Sequence, residues 1–130
     1  MKADLTKIQR RRIRELAGTA YERELSRELT AIEDQFGRWR RGEIDAHEVN
    51  DQIHAFHQGP HRNLFLMYTG GAIDWAVASA IARGILTEDE ATPEIVSLLS
   101  GAIEVAREAT RAAGSKDESE GGSAGGRPTD

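Results

Sequence analysis

Leu25, Leu29, Ile32, Phe36 and Trp39 recur at 4-3-4-3 spacing, and no stretch of the 130-residue chain alternates apolar and polar residues for more than a few positions. The first pattern is the seam of a helix that packs along a partner helix. The absence of the second leaves no half-buried strand from which to build a sheet. Together they predict an all-α fold, a helical bundle organised around a long N-terminal amphipathic helix.

Residues 3 to about 40 read as that helix, or as two in series with a weak point at Gly18. Leu5, Ile8, Ile13, Leu16 and Ala20 continue the apolar pattern less regularly, and the seam slips between Ala20 and Leu25, where the spacing is five. At ~1.5 Å per residue a helix of this extent runs about 57 Å, which is long for a domain of this size. It is expected either to break at Gly18 or to project its first half. Glu15, Glu22 and Glu24 read as part of its solvated face.

Local signals place the remaining elements. Arg41-Gly42 closes the first helix, with Gly42 suited to the left-handed position past a helix end. Asp45 reads as an N-cap with Glu48 three residues on, opening a helix from about Ala46 to Gln58. Gly59-Pro60 stops that helix and Pro60 starts the next, which runs to about Tyr68. Thr69-Gly70-Gly71 is a turn, and Asp74 is expected to cap an alanine-rich helix from Trp75 to Arg83, closed by Gly84. Thr87-Glu88-Asp89-Glu90 is a capping box. Thr92-Pro93-Glu94 opens the last helix, from Pro93 to about Ala113, with Ile95, Leu98, Leu99, Ala102, Ile103 and Ala106 on its core face. The helical domain thus spans 1–113, as 1–41 and 45–113. Residues 114–130 carry no apolar face and are expected to form a disordered tail.

Composition narrows the function classes. Only 38% of residues are hydrophobic and 30% are charged, so burial must lie on amphipathic faces, and such chains often complete it by self-association. The seam from Leu25 to Trp39 is the expected surface for a homo-oligomer. With no cysteine, disulfides, thiolate metal sites and cysteine nucleophiles are excluded. The N-terminus shows no signal-peptide pattern, and a cytoplasmic location is expected. Leu64 to Ala82 holds one charge, Asp74, but Thr69-Gly70-Gly71 interrupts it; it reads as two buried helical pieces and not a membrane span.

All four histidines lie between His47 and His61. On a helix at about 100° per residue, His47, Asp51, His54 and His57 share one flank beside a core stripe of Val49, Ile53 and Phe56. Imidazole nitrogens with a carboxylate suit a divalent transition metal such as zinc, iron, nickel or copper. His61 would join from the next helix across Gly59-Pro60. The Asp51-x-x-His54 spacing resembles the Glu-x-x-His pair of di-iron bundles, with a different acid and no second copy, and the metalloprotease pattern His-Glu-x-x-His is absent. The competing reading is architectural: histidine is tolerated at a core border, and His57 near a helix C-terminus favours the dipole when protonated. On that reading no cofactor is expected.

Arg41 and His47, six apart, resemble the Arg-x(4–6)-His motif of HEPN ribonucleases, which are also small helical bundles; the resemblance covers two residues and implies RNA cleavage by that pair. Gly42-x-Ile44-x-x-x-Glu48 matches the second half of an EF-hand loop, but Gly37, Trp39 and Arg41 stand where its oxygen ligands belong, which excludes calcium there. Lys7, Arg10, Arg11, Arg12 and Arg14 form a basic patch. Residues 1–14 hold six positive charges against one negative, a local +5 in a chain whose net charge is −5. The patch suits an acidic protein partner, or nucleic-acid phosphates, although no aromatic residue lies among these residues for stacking.

Gly42-Glu43-Ile44-Asp45, Phe56-His57-Gln58-Gly59-Pro60, Ala76-Val77-Ala78 and Gly84-Ile85-Leu86 together resemble a type of small bacterial all-helical protein. That resemblance implies a bacterial, all-helical protein and brings no catalytic residue with it. The function expected from the sequence is non-enzymatic: an interaction or regulatory protein that self-associates through its first helix. The alternatives are a metal-binding protein or metal-dependent enzyme at His47–His61, and a HEPN-like ribonuclease using Arg41 and His47.

Overall fold

The computed structural model describes the backbone of residues 5–120 and the side chains to Gly114, and every regular element among them is helical. Helix α1 spans Lys7–Arg40. Thr6 starts it with a capping box: its Oγ1 accepts from the Gln9 N–H at 3.1 Å, and Gln9 Oε1 accepts from the Thr6 N–H at 3.0 Å. Gly42, at φ 74°, closes it, its N–H donating to the Trp39 carbonyl at 3.0 Å.

The expected break at Gly18 does not occur, and the first half does not project. Ile13, Leu16, Ala17 and Ala20 are buried in the main core. It is the second half of α1 that leaves this core and runs beside helix α2, Ala46–Gln58. The slip in the seam marks the handover. Residues 13, 16, 17, 20 and 24 form one stripe that is buried, and beyond it Ile32, Phe36 and Trp39 of the seam line grooves against α2, while Leu29 is exposed.

Asp45 caps α2, its Oδ1 accepting from the Glu48 N–H at 2.9 Å. Helix α3, Pro60–Thr69, begins with proline as expected. Helix α4, Ile73–Ala82, starts two residues before the expected Trp75. Ala72 occupies its N-cap position without a side-chain hydrogen bond, and Asp74 lies in the first turn, so it is not the cap. Of the two apolar pieces only α4 is buried, through Ala76, Val77, Ala78, Ala80 and Ile81; α3 buries Tyr68 and leaves Phe65 and Leu66 exposed. No single helix among the described residues is long and apolar enough to cross a membrane.

Gly84, at φ 75°, ends α4, and Thr87 opens the short helix α5, Glu88–Ala91, with the expected capping box. The last helix is divided. Helix α6, Pro93–Leu98, and helix α7, Ser100–Glu120, meet at Leu99, whose backbone (φ −99°, ψ 10°) leaves regular helical geometry. Helix α7 passes through Gly114; residues 121–130 of the expected tail lie outside the described residues. The core is assembled from α1, α4 and α7, closed by Ile85, Leu86 and Ile95. Alanine is the commonest residue where α1 meets α4, which lets the two helices approach closely.

Candidate functional site

The histidine segment lies on the α2 side of the hairpin. His47, Asp51, His54 and His57 are exposed, and His61 is half-buried at the start of α3. The Gly59-Pro60 corner folds His61 back against His57: the two rings stack with centroids 5.3 Å apart and planes 15° apart, and Phe56 lies 5.8 Å from the His61 ring. His47 sits ten residues before His57, about 15 Å along the helix. Among the described residues no group of three or more histidine or acidic side chains stands close enough together to hold a metal ion. The arrangement brings together one pair of imidazoles, His57 and His61. Arg41, beside this segment in sequence, pairs with Glu43 through Nε at 3.2 Å and Nη2 at 3.3 Å.

The α1 seam is only partly covered. Leu25 and Ile32 are half-buried, and α2 runs beside Ile32. One groove of about 190 Å³ has Ile32 and Gln35 on the α1 side and Gln52 and Phe56 on the α2 side. Nearer the hairpin tip, Phe36 and Trp39 face Val49, Asn50 and Ile53 across a groove of about 200 Å³. Val49 is buried, but Ile53, which the helical pattern placed on the core face, is exposed. Among the described residues the groove at the tip is lined by α1 and α2 alone, and a two-helix layer can cover only one side of each seam.

The basic residues at the start of α1 divide into two sets. Arg11 and Arg12 pair with Glu15, each at 3.4 Å, and Arg12 also donates to the Glu90 carbonyl. Lys7, Arg10 and Arg14 are exposed. Arg10 and Arg14 line a cleft of about 440 Å³ against the turn between α3 and α4.

Two polar clusters were not foreseen. Glu24, expected on the solvated face, is 8% exposed. It follows Ala20 by four residues, so it continues the core stripe at the point where the apolar seam slips. Its carboxylate accepts from Tyr68 Oη at 2.6 Å and from Arg83, which also donates through Nε to Ser79 Oγ at 3.0 Å. Tyr21 stacks on Tyr68 with centroids 5.4 Å apart. Burial, together with the adjacent Glu24 carboxylate, pushes the Tyr68 hydroxyl well above the usual tyrosine range. For Arg83 burial opposes the charge, but the bond to Glu24, the charge of that carboxylate and the nearby Tyr68 together outweigh it and raise the guanidinium above its ordinary value.

In the second cluster Glu90 receives Arg23 through two bonds, at 2.5 and 2.9 Å, while Oε1 also accepts from the Thr87 N–H at 2.7 Å. The Arg23 bonds, then the bond from the Thr87 backbone, lower the Glu90 carboxyl to about 2. Arg23 additionally donates to the Ile85 carbonyl at 2.8 Å. Both clusters fasten α1 to the second half of the chain, and no buried side-chain nitrogen or oxygen among the described residues lacks a partner.

No protein family, curated protein or solved structure matches this chain.

Proposed function

We propose that this protein is a helical interaction module that pairs with a second copy of itself through the α1–α2 hairpin. The observation that carries this reading is the exposure of four large apolar side chains on one end of the molecule: Leu29 at 50%, Trp39 at 43%, Ile53 at 41% and Phe36 at 38%. Phe36, Trp39 and Ile53 line one groove, and Leu29 lies about two turns before Phe36 on the same helix; apolar surface of this kind marks a contact site. Two such hairpins laid face to face make a four-helix layer in which each seam gains the cover it lacks. A two-fold pairing needs one patch that meets itself, and the apolar strip at the hairpin would serve as that patch on both copies. Charge does not oppose it: at the tip Arg38 and Arg41 both pair with Glu43 within the chain, at 3.5 and 3.2 Å.

Light scattering across a concentration series tests the reading. The wild-type chain is expected at the mass of a dimer, and Leu29→Asp or Phe36→Asp at that of a monomer with an unchanged helical circular dichroism spectrum. Both positions are exposed in the isolated chain, so neither change disturbs the monomer core. A wild-type chain that stays monomeric at every concentration, or variants that keep the dimer mass, would overturn it.

A further inference from the structure

The cleft beside Arg10 and Arg14 has the parts of a ligand site. One wall is α1, where these two guanidiniums stand four residues apart on the same face. Neither has a carboxylate within 4.0 Å among the described residues, whereas Arg11, Arg12 and Arg23 of the same helix are all paired. The opposite wall is the Gly70-Gly71 turn with the first residues of α4, including Trp75, which is 41% exposed. This tryptophan is the aromatic surface that the basic stretch lacks in sequence; the fold brings it in from sixty positions away. The first residues of α4 line the same cleft, and the N–H groups of that first turn have no side-chain cap to satisfy them. Asp74 is the one acid in the lining.

Each part selects a piece of a ligand. Two unpaired guanidiniums recognise a phosphate, and the free N–H groups of the turn add donors to it. An exposed indole beside them offers a stacking face for a planar base. Asp74 can only accept, which suits a hydroxyl or an exocyclic amine and not a second phosphate. A volume of about 440 Å³ falls within the ~300–1,000 Å³ typical of small-molecule sites. The net charge of −5 argues against indiscriminate polyanion binding. We infer that this cleft binds a nucleoside phosphate, with the phosphate on Arg10 and Arg14 and the base on Trp75. The same chemistry is presented by a free nucleotide and by one residue of a single strand. The inference stands independently of the pairing through the hairpin, which uses the other end of α1.

Calorimetry with adenosine monophosphate and with inorganic phosphate, and fluorescence anisotropy with a labelled oligoadenylate, test it on the full chain at low salt. The wild type is expected to bind the nucleotide more tightly than inorganic phosphate. Trp75→Leu should weaken nucleotide binding by roughly tenfold or more and leave the affinity for inorganic phosphate unchanged. Replacing both Arg10 and Arg14 by alanine should abolish nucleotide binding. With the oligonucleotide, it should flatten the salt dependence by roughly 1.4 in log–log slope, at ~0.7 per lost contact. An oligonucleotide affinity well above that of the mononucleotide identifies a single strand as the ligand, and equal affinities identify the free nucleotide. Since all three side chains are exposed, thermal melts of the variants should overlay the wild type. Absence of binding to both adenosine monophosphate and the oligoadenylate at millimolar concentration would overturn the inference, as would affinities that neither set of substitutions alters. So would duplex binding as tight as single-strand binding with no effect of Trp75→Leu.

Discussion

Tyr68 donates its phenolic hydrogen to Glu24 Oε2 at 2.6 Å, joining α3 to α1 across 44 positions of sequence. Arg83 of the α4 terminus takes the other carboxylate oxygen, so one buried acid holds three helices in register. Glu24→Ala leaves a half-buried guanidinium and a buried hydroxyl without their acceptor. The expected cost is about 2–4 kcal/mol, read from urea denaturation. Glu24→Gln retains an acceptor and should cost less. Combining Glu24→Leu, Tyr68→Phe and Arg83→Met should recover much of the loss, because replacing a whole buried network by apolar side chains removes its desolvation cost as well as its bonds.

Glu90 makes stability depend on pH in the acid range. Its carboxyl is held at about 2 in the folded chain, against ~4.3 for an unperturbed glutamate. A depressed carboxyl stabilises the fold above its unfolded value, and the contribution is lost as pH falls through the folded one. Melting temperature should therefore drop between about pH 4.5 and 2. Glu90→Gln should start lower at neutral pH and show a shallower drop over that window. A wild type and variant with parallel pH profiles would show that the Arg23 pair and the Thr87 cap contribute nothing measurable.

Two glycines should respond in opposite directions to alanine. Gly18 lies inside α1, exposed, with nothing within 4 Å of an added Cβ. Gly18→Ala should raise stability by about 0.5–1 kcal/mol through helix propensity. Gly84 has equally open surroundings, but its φ of 75° is a conformation that alanine adopts at a cost. Gly84→Ala should lower stability by roughly 1 kcal/mol. Equal effects of the two substitutions in chemical denaturation would contradict the assigned backbone geometry.

Trp39 reports on pairing at the hairpin. In a Trp75→Phe background it is the one remaining tryptophan of the chain. Its emission should move to shorter wavelength as concentration rises through the association range, because the second copy excludes water from the indole. The same protein carrying Leu29→Asp should keep a fixed, red emission maximum.

What the sequence revealed was what short-range chemistry controls. Asp45, Thr87, Gly42, Gly84, Pro60 and Pro93 stand at helix ends where their local preferences place them, since a cap or a closing glycine acts within about one turn. The core face of the last helix was legible from its spacing, but its division at Leu99 was not; Gly101 lies two residues on, inside the following helix, and does not by itself mark a break. Asp74 misled because α4 begins earlier, at a residue with no capping side chain. Glu24 was misread for a different reason: one residue type serves both an outer face and a buried pair, and its partners Tyr68 and Arg83 lie 44 and 59 positions away. The nearness of Trp75 to Arg10 and Arg14 is equally non-local. The helix that carries His47, His54 and His57 was legible, but spacing did not show which imidazoles meet. The stack of His57 on His61 depends on the angle at Gly59-Pro60, which spacing does not encode.

Helix α1 carries 34 residues without a hinge, a rod of about 51 Å at ~1.5 Å per residue. The apolar strip occupies one end of this rod, and Arg10 and Arg14 with their cleft occupy the other. A rod transmits orientation as well as position. Two copies joined at their tips would hold their arginine clefts at one fixed separation and angle, a ruler whose length is set by hydrogen bonds inside a single helix and not by any flexible connection.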